Sequence, residues 1–240
     1  MQVKVVIPAL DEEASLPLVL GDLPRSGDGF EVTEVVVVDN GSRDRTPEVA
    51  REAGATVLHE PQRGYGAACW TGVGHVAASP PDVVVFLDGD YSDHPDELPE
   101  LLAPFLADPA LDMVIGSRST GRHETGALLP QQRFGNWLAT TLIRLLHGQP
   151  FTDLGPFRAL SWSAWERLAM EDRDFGWTVE MQVKAGPLGL RWAEVPVSYR
   201  RRVGRSKIAG TVRGSVKAGI KILWTIARYA RTRPSAHGHS

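Results

Sequence analysis

Residues 82–93 read DVVVFLDGDYSD, in which five apolar residues run directly into Asp88, Gly89 and Asp90. Short, continuously apolar runs of this kind are typical of strands that are covered on both faces of a parallel sheet. In such sheets, ligands bind beyond the carboxyl ends of the strands. The pattern therefore predicts a central strand whose end presents two carboxylates to a ligand site.

Similar apolar runs alternate with helical patterns through the first half of the chain. The predicted strands cover residues 4–9, 34–39, 55–60, 82–88 and 112–117. The predicted helices cover residues 12–22, 46–53, 65–78 and 95–107. Because strands and helices alternate, we predict an α/β fold with a Rossmann-like, mostly parallel sheet and helices on both of its faces.

The second half follows a different pattern. Residues 121–130 are predicted to form a loop, residues 131–146 a helix, and residues 152–158 (TDLGPFR) an irregular segment. Two short helical stretches and a strand near residues 191–197 follow. We predict three parts along the chain, which are an α/β domain over 1–207, a basic amphipathic C-terminal helix over 208–233 and a disordered tail over 234–240.

The composition is that of an ordinary globular protein, with 42% apolar and 23% charged residues among 240. The single cysteine, Cys69, excludes an intramolecular disulfide and favours a reducing compartment. We expect no secretory signal, because acidic residues follow early, at Asp11, and no apolar run approaches the roughly 20 residues that span a bilayer. The expected location is the cytoplasm, either free or peripherally bound to the inner face of the membrane.

Charge is unevenly distributed, although the net charge is only −3. From Tyr199 to the end there is no Asp or Glu, and the same stretch carries 11 Lys and Arg residues. On a helical wheel, Arg213, Lys217 and Lys221 share one arc beside an apolar arc, with Trp224 near the boundary. Such a helix binds an anionic membrane surface or packs on protein. The sequence leaves both open, together with a homo-oligomer, and suggests no nucleic-acid partner.

The Asp88 and Asp90 pair has the chemistry of a metal site. Mg²⁺ is typically held by one or two carboxylates together with substrate phosphates, and Gly89 lets a ligand approach the backbone closely. A lone D-x-D is more often just an acidic turn. Here two further polar turns, at residues 8–12 and 39–44, follow strands predicted to end at the same edge, which favours the functional interpretation.

Two other motifs are weaker by themselves. Asp39 ends a predicted strand and suits hydrogen bonds to uracil or guanine, but Asp-Asn-Gly is also good turn chemistry. Residues 63–66 (RGYG) open a predicted helix whose N-terminal amides suit phosphate. Neither G-x-G-x-x-G nor G-x-x-x-x-G-K-[ST] occurs, which disfavours dinucleotide oxidoreductases and P-loop NTPases.

An ordered set of motifs is more specific than any one of them. PALDE, VVVVDNGSRDRT, RGYGAA, FLDGD, VIGSR, TDLGPFRAL and GRSKIAGT occur in this order between Pro8 and Thr211. Together they resemble the family 2 glycosyltransferases of the GT-A fold. Within that family they are most similar to the dolichyl- and polyprenyl-phosphate sugar synthases.

The resemblance implies roles by position. The donor-binding residues would be Pro8, Ala9, Glu12, Asp39, Gly64, Asp88, Gly89, Asp90, Ser206 and Lys207. Asp88 and Asp90 would hold Mg²⁺ or Mn²⁺ against the donor diphosphate. The catalytic set would be Asp90, Arg118, Arg133 and Arg202, with the arginines on phosphates. Further matching positions are Asp153, Arg158 and Glu180.

Four positions depart from the usual family pattern. Asp11 stands where Asn is usual, Leu10 where Tyr is common, and Asn40 where a second Asp is frequent. Ser92 replaces a stronger polar metal ligand. These departures bear on the base and the sugar, neither of which the sequence identifies.

The expected reaction is inverting transfer of a hexose from a UDP- or GDP-sugar to polyprenyl or dolichyl phosphate. A phosphate monoester is largely ionised near neutral pH, so such an acceptor needs cations more than a strong base. The alternatives are the same donor chemistry with a soluble small-molecule or natural-product acceptor, and a nucleotide-sugar-binding protein without turnover.

Overall fold

The fold was analysed in a computed structural model that describes residues 1–204 and 212–230, with side chains described outside 212–217. Eight strands form a single sheet. They are β1 (Gln2–Ala9), β2 (Ser26–Gly27), β3 (Phe30–Asp39), β4 (Thr56–His59), β5 (Val83–Phe86), β6 (Met113–Ser117), β7 (Arg158–Ser161) and β8 (Trp192–Pro196). Within these described ranges, no helix is both long and apolar enough to cross a membrane.

The sheet places three strand ends beside one another. The strand order is β2-β3-β1-β5-β7-β6-β8, and β4 pairs with β3. β1 is parallel to both β3 and β5, with Ala9 opposite Asp39 and Val6 opposite Phe86. The polar turns that follow β1, β3 and β5 therefore emerge at one edge, as the sequence predicted.

The described residues form eight helices. They are α1 (Leu16–Asp22), α2 (Thr46–Glu52), α3 (Tyr65–Val76), α4 (Leu98–Ala107), α5 (Pro130–His147), α6 (Trp162–Leu168), α7 (Trp177–Ala185) and α8 (Val212–Ala230). A single 3-10 turn, Pro95–Glu97, precedes α4. The helices predicted in the first half, and that at 131–146, are confirmed within a few residues.

The continuously apolar strands supply two cores, one on each face. Val6, Val36 and Phe86 face the core that α3, α6 and α7 cover. The alternate residues, including Val5 and Val37, face the core that α1 and α4 cover. Because both faces are buried, polar residues could not alternate along these strands. The predicted Rossmann-like sheet with helices on both faces is confirmed.

The irregular segment predicted at 152–158 is one residue too long, and the strand that follows it was not predicted. β7 begins at Arg158 and runs antiparallel between β5 and β6. It has only four residues, too short for a periodic pattern, and its first residue is a buried arginine. Nothing in so short a run distinguishes a central strand from a loop.

The C-terminal helix packs on its own domain. α8 lies against α5 and α7, with Thr225, Ile226 and Tyr229 buried. The Nε2 atom of His147, at the end of α5, lies 3.0 Å from the carbonyl oxygen of Ile226. The opposite side, including Ile220 and Trp224, is exposed. The predicted boundaries at 207–208 and 233–234, and the disordered tail, lie outside the described residues and stay predictions.

Two glycines of α3 offer a test of how tightly this helix meets the sheet. A Cβ on Gly72 would lie 2.5 Å from a Cγ of Val6, whereas a Cβ on Gly74 would have no neighbour within 4 Å. Alanine in a helix gains about 0.5–1 kcal/mol over glycine, while overpacking costs about 1–3 kcal/mol. We expect Gly72→Ala to lower the free energy of unfolding by about 1 kcal/mol and Gly74→Ala to raise it by a similar amount.

Urea unfolding of the two variants gives both values. A gain in stability for Gly72→Ala would show that α3 does not pack as closely on β1 as the structure indicates.

Candidate functional site

A cleft of about 340 Å³ opens at the carboxyl ends of β1, β3 and β5. Its walls come from the ends of these three strands, the start of α3, the loop before α7 and the segment after β8. The lining residues are Pro8, Ala9, Leu10, Glu12, Asn40, Arg63, Gly64, Tyr65, Ala68, Asp88, Gly89, Asp90, Asp174, Phe175 and Arg202. The cleft thus contains eight of the residues predicted from the sequence.

Asp88 and Asp90 lie side by side at the end of β5, and their surroundings differ. Asp90 is buried; its Oδ1 accepts hydrogen bonds from the backbone N–H of Ser92, at 2.8 Å, and from the Ser92 hydroxyl. Among the described residues, the Oδ1 atom of Asp88 is buried without a hydrogen-bond partner. Ser92, considered above as a weak metal ligand, instead orients the Asp90 carboxylate.

The Asp88 carboxyl is poorly stabilised in its charged form. Burial, with the nearby charge of Asp90, raises the pKa of Asp88 to about 7. A cation bound at Asp88 would favour the charged form again. An orphaned buried oxygen beside a second carboxylate is therefore a suitable place for a divalent metal.

Arg202 bridges two acidic residues of the cleft. Its Nη2 atom lies 3.1 Å from Oε1 of Glu12 and 3.2 Å from Oδ2 of Asp90. Glu12 is fixed in turn, because its Oε2 accepts a hydrogen bond of 2.7 Å from the Ser15 hydroxyl. The arginine joins the segment after β8 to the ends of β1 and β5, and places a cation beside the carboxylate pair.

Asn40 explains one departure from the family pattern. Its side-chain amide donates to the carbonyl oxygens of Glu60, at 2.9 Å, and Gln62, at 2.8 Å. Its Oδ1 accepts from the N–H of Gly64 at 2.9 Å. An aspartate here could accept the last bond but could not donate the first two. Asparagine at this position therefore fastens the RGYG loop to the end of β3.

The amides at the start of α3 are only partly available to a phosphate. The N–H of Gly64 bonds to Asn40, and the N–H of Ala67 donates to the carbonyl oxygen of Arg173 at 2.9 Å. The same carbonyl oxygen would lie 2.3 Å from a Cβ on Gly64, where φ is +153°. Position 64 therefore requires glycine, which lets the loop before α7 close over the helix.

Asp39 lies just outside the cleft lining. Its Oδ1 accepts from the N–H of Ser42 at 2.9 Å, and its Oδ2 lies 3.1 Å from Nδ1 of His59. Burial acts to raise the pKa of Asp39, but the hydrogen bonds from Ser42 and His59 outweigh it and hold that pKa below its usual value. Asp39 is thus an ionised hydrogen-bond acceptor at the carboxyl end of β3.

Seven of the fifteen lining residues were not predicted as site residues; five of them lie within the motifs quoted from the sequence, and two lie in none of these motifs. Asp174 and Phe175 belong to the loop between α6 and α7 and form the wall that faces α3. The signal was present as an acidic and an aromatic residue before Gly176, in DRDFGW. No apolar strand precedes them, so the rule that points to strand ends could not find them.

Arg118, which is partly buried, pairs with the buried Asp153 outside the lining of the cleft. The Nε and Nη2 atoms of Arg118 lie 2.8 and 2.7 Å from the two carboxylate oxygens of Asp153. Although burial acts to raise the pKa of Asp153, the arginine holds it below its usual value. The Arg118 guanidinium also lies 5.0 Å from the ring centroid of Tyr199.

The remaining predicted residues lie elsewhere. Arg158 is fully buried and donates to the carbonyl oxygens of Gly155 and Thr178, at 3.1 and 3.0 Å. Glu180 is fully buried under the loop before α7. Arg133 is on the exposed surface of α5. Ser206 and Lys207 lie outside the described residues.

Across the described part of the chain, no three His, Cys, Asp or Glu residues converge in a way that would enclose a metal ion. Among the described residues, no third carboxylate is placed to hold the same ion as Asp88 and Asp90. A hard cation held by one or two carboxylates keeps coordination positions for water and phosphate oxygens. The pair fits a metal that is shared with a ligand better than a closed structural site.

The raised pKa of Asp88 has a consequence for stability. Between about pH 4 and pH 7 the unfolded chain loses this proton while the folded chain keeps it. The amount by which Asp88 lowers the free energy of unfolding therefore grows with pH over that range and stays constant above it. In metal-free buffer, we expect Asp88→Asn to raise the melting temperature most above pH 7 and less as the pH falls towards 4. Asp90→Asn, which removes an acceptor of Arg202, is expected to lower it.

Thermal unfolding at several pH values with a chelator measures both variants. A pH-independent effect of Asp88→Asn would contradict the raised pKa.

Comparison with known proteins identifies the family. The sequence model of Glycosyl transferase family 2 matches residues 4–168. An uncharacterized glycosyltransferase of Mycobacterium tuberculosis is 38% identical over 90% of this chain and 94% of its own length. The undecaprenyl-phosphate mannosyltransferase of Micrococcus luteus is 30% identical over 97% of this chain and 98% of its own.

A solved structure gives the same answer for the fold. Glucosyl-3-phosphoglycerate synthase of Mycobacterium tuberculosis, crystallised with Mn²⁺ and UDP-glucose, is 25% identical, with a TM-score of 0.74 over 99% of this chain and 82% of that one. The predicted GT-A fold is confirmed. The chain belongs to glycosyltransferase family 2.

Proposed function

We propose that this protein is an inverting, metal-dependent glycosyltransferase that moves a hexose from a UDP- or GDP-sugar to polyprenyl phosphate. The observation that carries the proposal is the cleft that contains the Asp88–Asp90 pair, with Arg202 in contact with Asp90 and Arg63 also in the lining. Carboxylates for a metal and arginines for phosphate are what a nucleoside diphosphate requires. The confirmed fold and family support the same donor chemistry.

In this proposal Asp88 and Asp90 hold Mg²⁺ or Mn²⁺. The neighbouring structure with Mn²⁺ and UDP-glucose supports a divalent ion, as does the unpartnered oxygen of Asp88. When bound, the metal supplies stabilisation of the charge on the departing nucleoside diphosphate. Arg202 contacts Asp90 directly and is placed to neutralise the same group.

The donor would lie along the cleft with its nucleoside near the ends of β1 and β3. Pro8, Ala9 and Asn40 line that end, and the ionised Asp39 lies beside it. The diphosphate would lie beside Gly64, Asp88 and Arg202.

The acceptor phosphate needs no strong base. A phosphate monoester has a second pKa of about 6 and is largely ionised near neutral pH. Its oxygen can therefore attack the anomeric carbon while the diphosphate leaves from the opposite side, which inverts the configuration. We propose that Arg118 and Arg133 hold the acceptor phosphate. The Nε and Nη2 atoms of Arg118 already donate to Asp153.

The relatives support a lipid phosphate as the acceptor. The undecaprenyl-phosphate mannosyltransferase aligns over 98% of its own length, so its whole catalytic chain corresponds to this one. The alternative is a soluble phosphorylated acceptor, supported by the fold of glucosyl-3-phosphoglycerate synthase. A soluble acceptor that attacks through a hydroxyl group would need a general base to take its proton, whereas a lipid phosphate attacks as an anion.

Release of nucleoside diphosphate distinguishes these acceptors. With Mn²⁺ and a UDP- or GDP-sugar, we expect release to depend on added polyprenyl phosphate, and Asp90→Ala to reduce kcat by about 10²-fold or more because charge stabilisation at the diphosphate is lost. The circular dichroism spectrum of the variant controls for folding.

Release only with 3-phosphoglycerate would favour the soluble acceptor, and release with neither would favour a binding protein. Full activity of Asp90→Ala would contradict the metal assignment.

An exposed apolar face supports membrane contact by the proposed enzyme. On α5, Phe134, Trp137 and Leu145 follow one another at helical spacing and are at least 60% exposed. On the adjoining α8, Ile220 and Trp224 are more than half exposed. Neither helix contains an acidic residue. Exposed aromatic residues on basic helices are typical of proteins that bind an anionic bilayer.

Membrane binding through this exposed face can be tested without measuring catalysis. We expect the protein to bind vesicles of phosphatidylglycerol and phosphatidylcholine, and Trp137→Glu with Trp224→Glu to weaken binding by about tenfold or more, since each buried large side chain contributes about 1.5–3 kcal/mol. Leu18→Glu, on the exposed side of α1, is the matched control and should bind as the wild type does. Sedimentation with vesicles measures all three.

Equal binding by the double variant would contradict membrane contact through α5 and α8, and would leave the transfer chemistry untouched.

A further inference from the structure

We propose that the C-terminal helix, acting through Lys221 and Asp172, fixes the Asp174–Phe175 wall of the cleft and thereby sets how tightly the sugar half of the donor is held. The inference rests on the proposed function. In this inference, Asp174 and Phe175 contact the hexose, and Lys221 acts on them as a positioning residue.

The wall belongs to the loop that closes the start of α3. The carbonyl oxygen of Arg173 accepts the N–H of Ala67, and a Cβ on Gly66 would lie 2.7 Å from the backbone of Asp172 and Arg173. The guanidinium of Arg173 lies 5.2 Å from the ring centroid of Trp70. The loop therefore lies against α3 next to the residues that line the cleft, and Asp174 and Phe175 follow directly.

Asp172 holds the shape of that loop. It is buried, and its Oδ1 accepts from the N–H groups of Asp174, at 2.7 Å, and Gly176, at 3.1 Å. A carboxylate that accepts two backbone N–H groups fixes the residues between them. The orientation of Asp174 and Phe175 thus depends on where the Asp172 carboxylate lies.

The C-terminal helix supplies the cation that holds Asp172. Nζ of Lys221 lies 2.6 Å from Oδ2 of Asp172. A Cβ on Gly176 would lie 2.7 Å from Oγ1 of Thr225, so the loop and α8 are in close contact. The lysine is the charged partner that offsets burial of this carboxylate.

A second contact anchors the start of the loop to the same helix. Glu180 is fully buried and accepts the N–H groups of Glu171, at 2.8 Å, and Asp172, at 2.7 Å. The hydroxyl of Tyr229, on α8, donates to Glu180 at 2.9 Å. Glu180, predicted as a site residue from the sequence, therefore acts on the cleft through the loop.

The chemistry of the wall identifies the part of the donor that it contacts. The carboxylate oxygens of Asp174 can accept hydrogen bonds from the hydroxyl groups of a sugar. An aromatic ring such as Phe175 offers an apolar surface to the C–H face of a sugar. Asp174 and Phe175 line the same cleft as Asp88, Asp90 and Arg202. The hexose fits these requirements.

The test compares binding of a nucleoside diphosphate with binding of its sugar conjugate. Isothermal titration calorimetry of the full chain with Mn²⁺ would use UDP and UDP-glucose, and GDP and GDP-mannose. In Lys221→Met we expect the Kd of the bound nucleotide-sugar to rise about fivefold to tenfold, and the Kd of the nucleoside diphosphate to change less than about twofold. Lys221→Arg, which keeps the cation, should restore the wild-type values.

Arg228→Met is the matched control. Arg228 is on the same helix and pairs with Glu171 of the same loop, but both side chains are about half exposed and the pair does not involve Asp172. An exposed pair contributes little, so this variant should bind both ligands as the wild type does.

Equal weakening of both ligands in Lys221→Met, or no weakening of either, would overturn the inference. So would an effect of Arg228→Met as large as that of Lys221→Met. If the wild type binds the nucleotide-sugar and the variants behave as expected, but no transfer occurs to any acceptor, the proposed function fails and the role of the wall remains.

Discussion

Two carboxylates at the buried end of β5 are the constraint around which the cleft is arranged. Asp88 and Asp90 repel each other, and burial removes much of the water that would stabilise them. The protein offsets this cost at Asp90 with Ser92 and Arg202. It offsets little at Asp88, whose pKa rises to about 7. A site that is unfavourable without a cation is well prepared to bind one.

The same constraint explains why distant segments meet here. Arg202 comes from the segment after β8, nearly two hundred residues along the chain from Glu12, and contacts both Glu12 and Asp90. Asn40 fastens the loop before α3, and Gly64 leaves room for the carbonyl oxygen of Arg173. Each of these contacts joins a different loop to its neighbour. The cleft is therefore built from loops that hold one another in place over a rigid sheet.

The sequence predicts the parts of this arrangement that have local signals. Apolar runs located the strands around β1 and β5, and the strand-end rule placed Asp88 and Asp90 correctly. It missed β7, because four residues carry no period, and it missed Asp174, because that wall follows a helix instead of a strand. The donating role of Asn40 was also out of reach, since its three partners lie 20 to 24 residues away.

The C-terminal helix shows why packing on protein and contact with a membrane need not compete. Ile226 and Tyr229 are buried against the domain, while Ile220 and Trp224 are exposed. A helix of 19 residues has room for both faces. Its inner side reaches Asp172 through Lys221, so the helix that is exposed outside also holds a wall of the cleft. A lipid surface bound to the outer face would therefore contact the same helix whose inner face holds that wall.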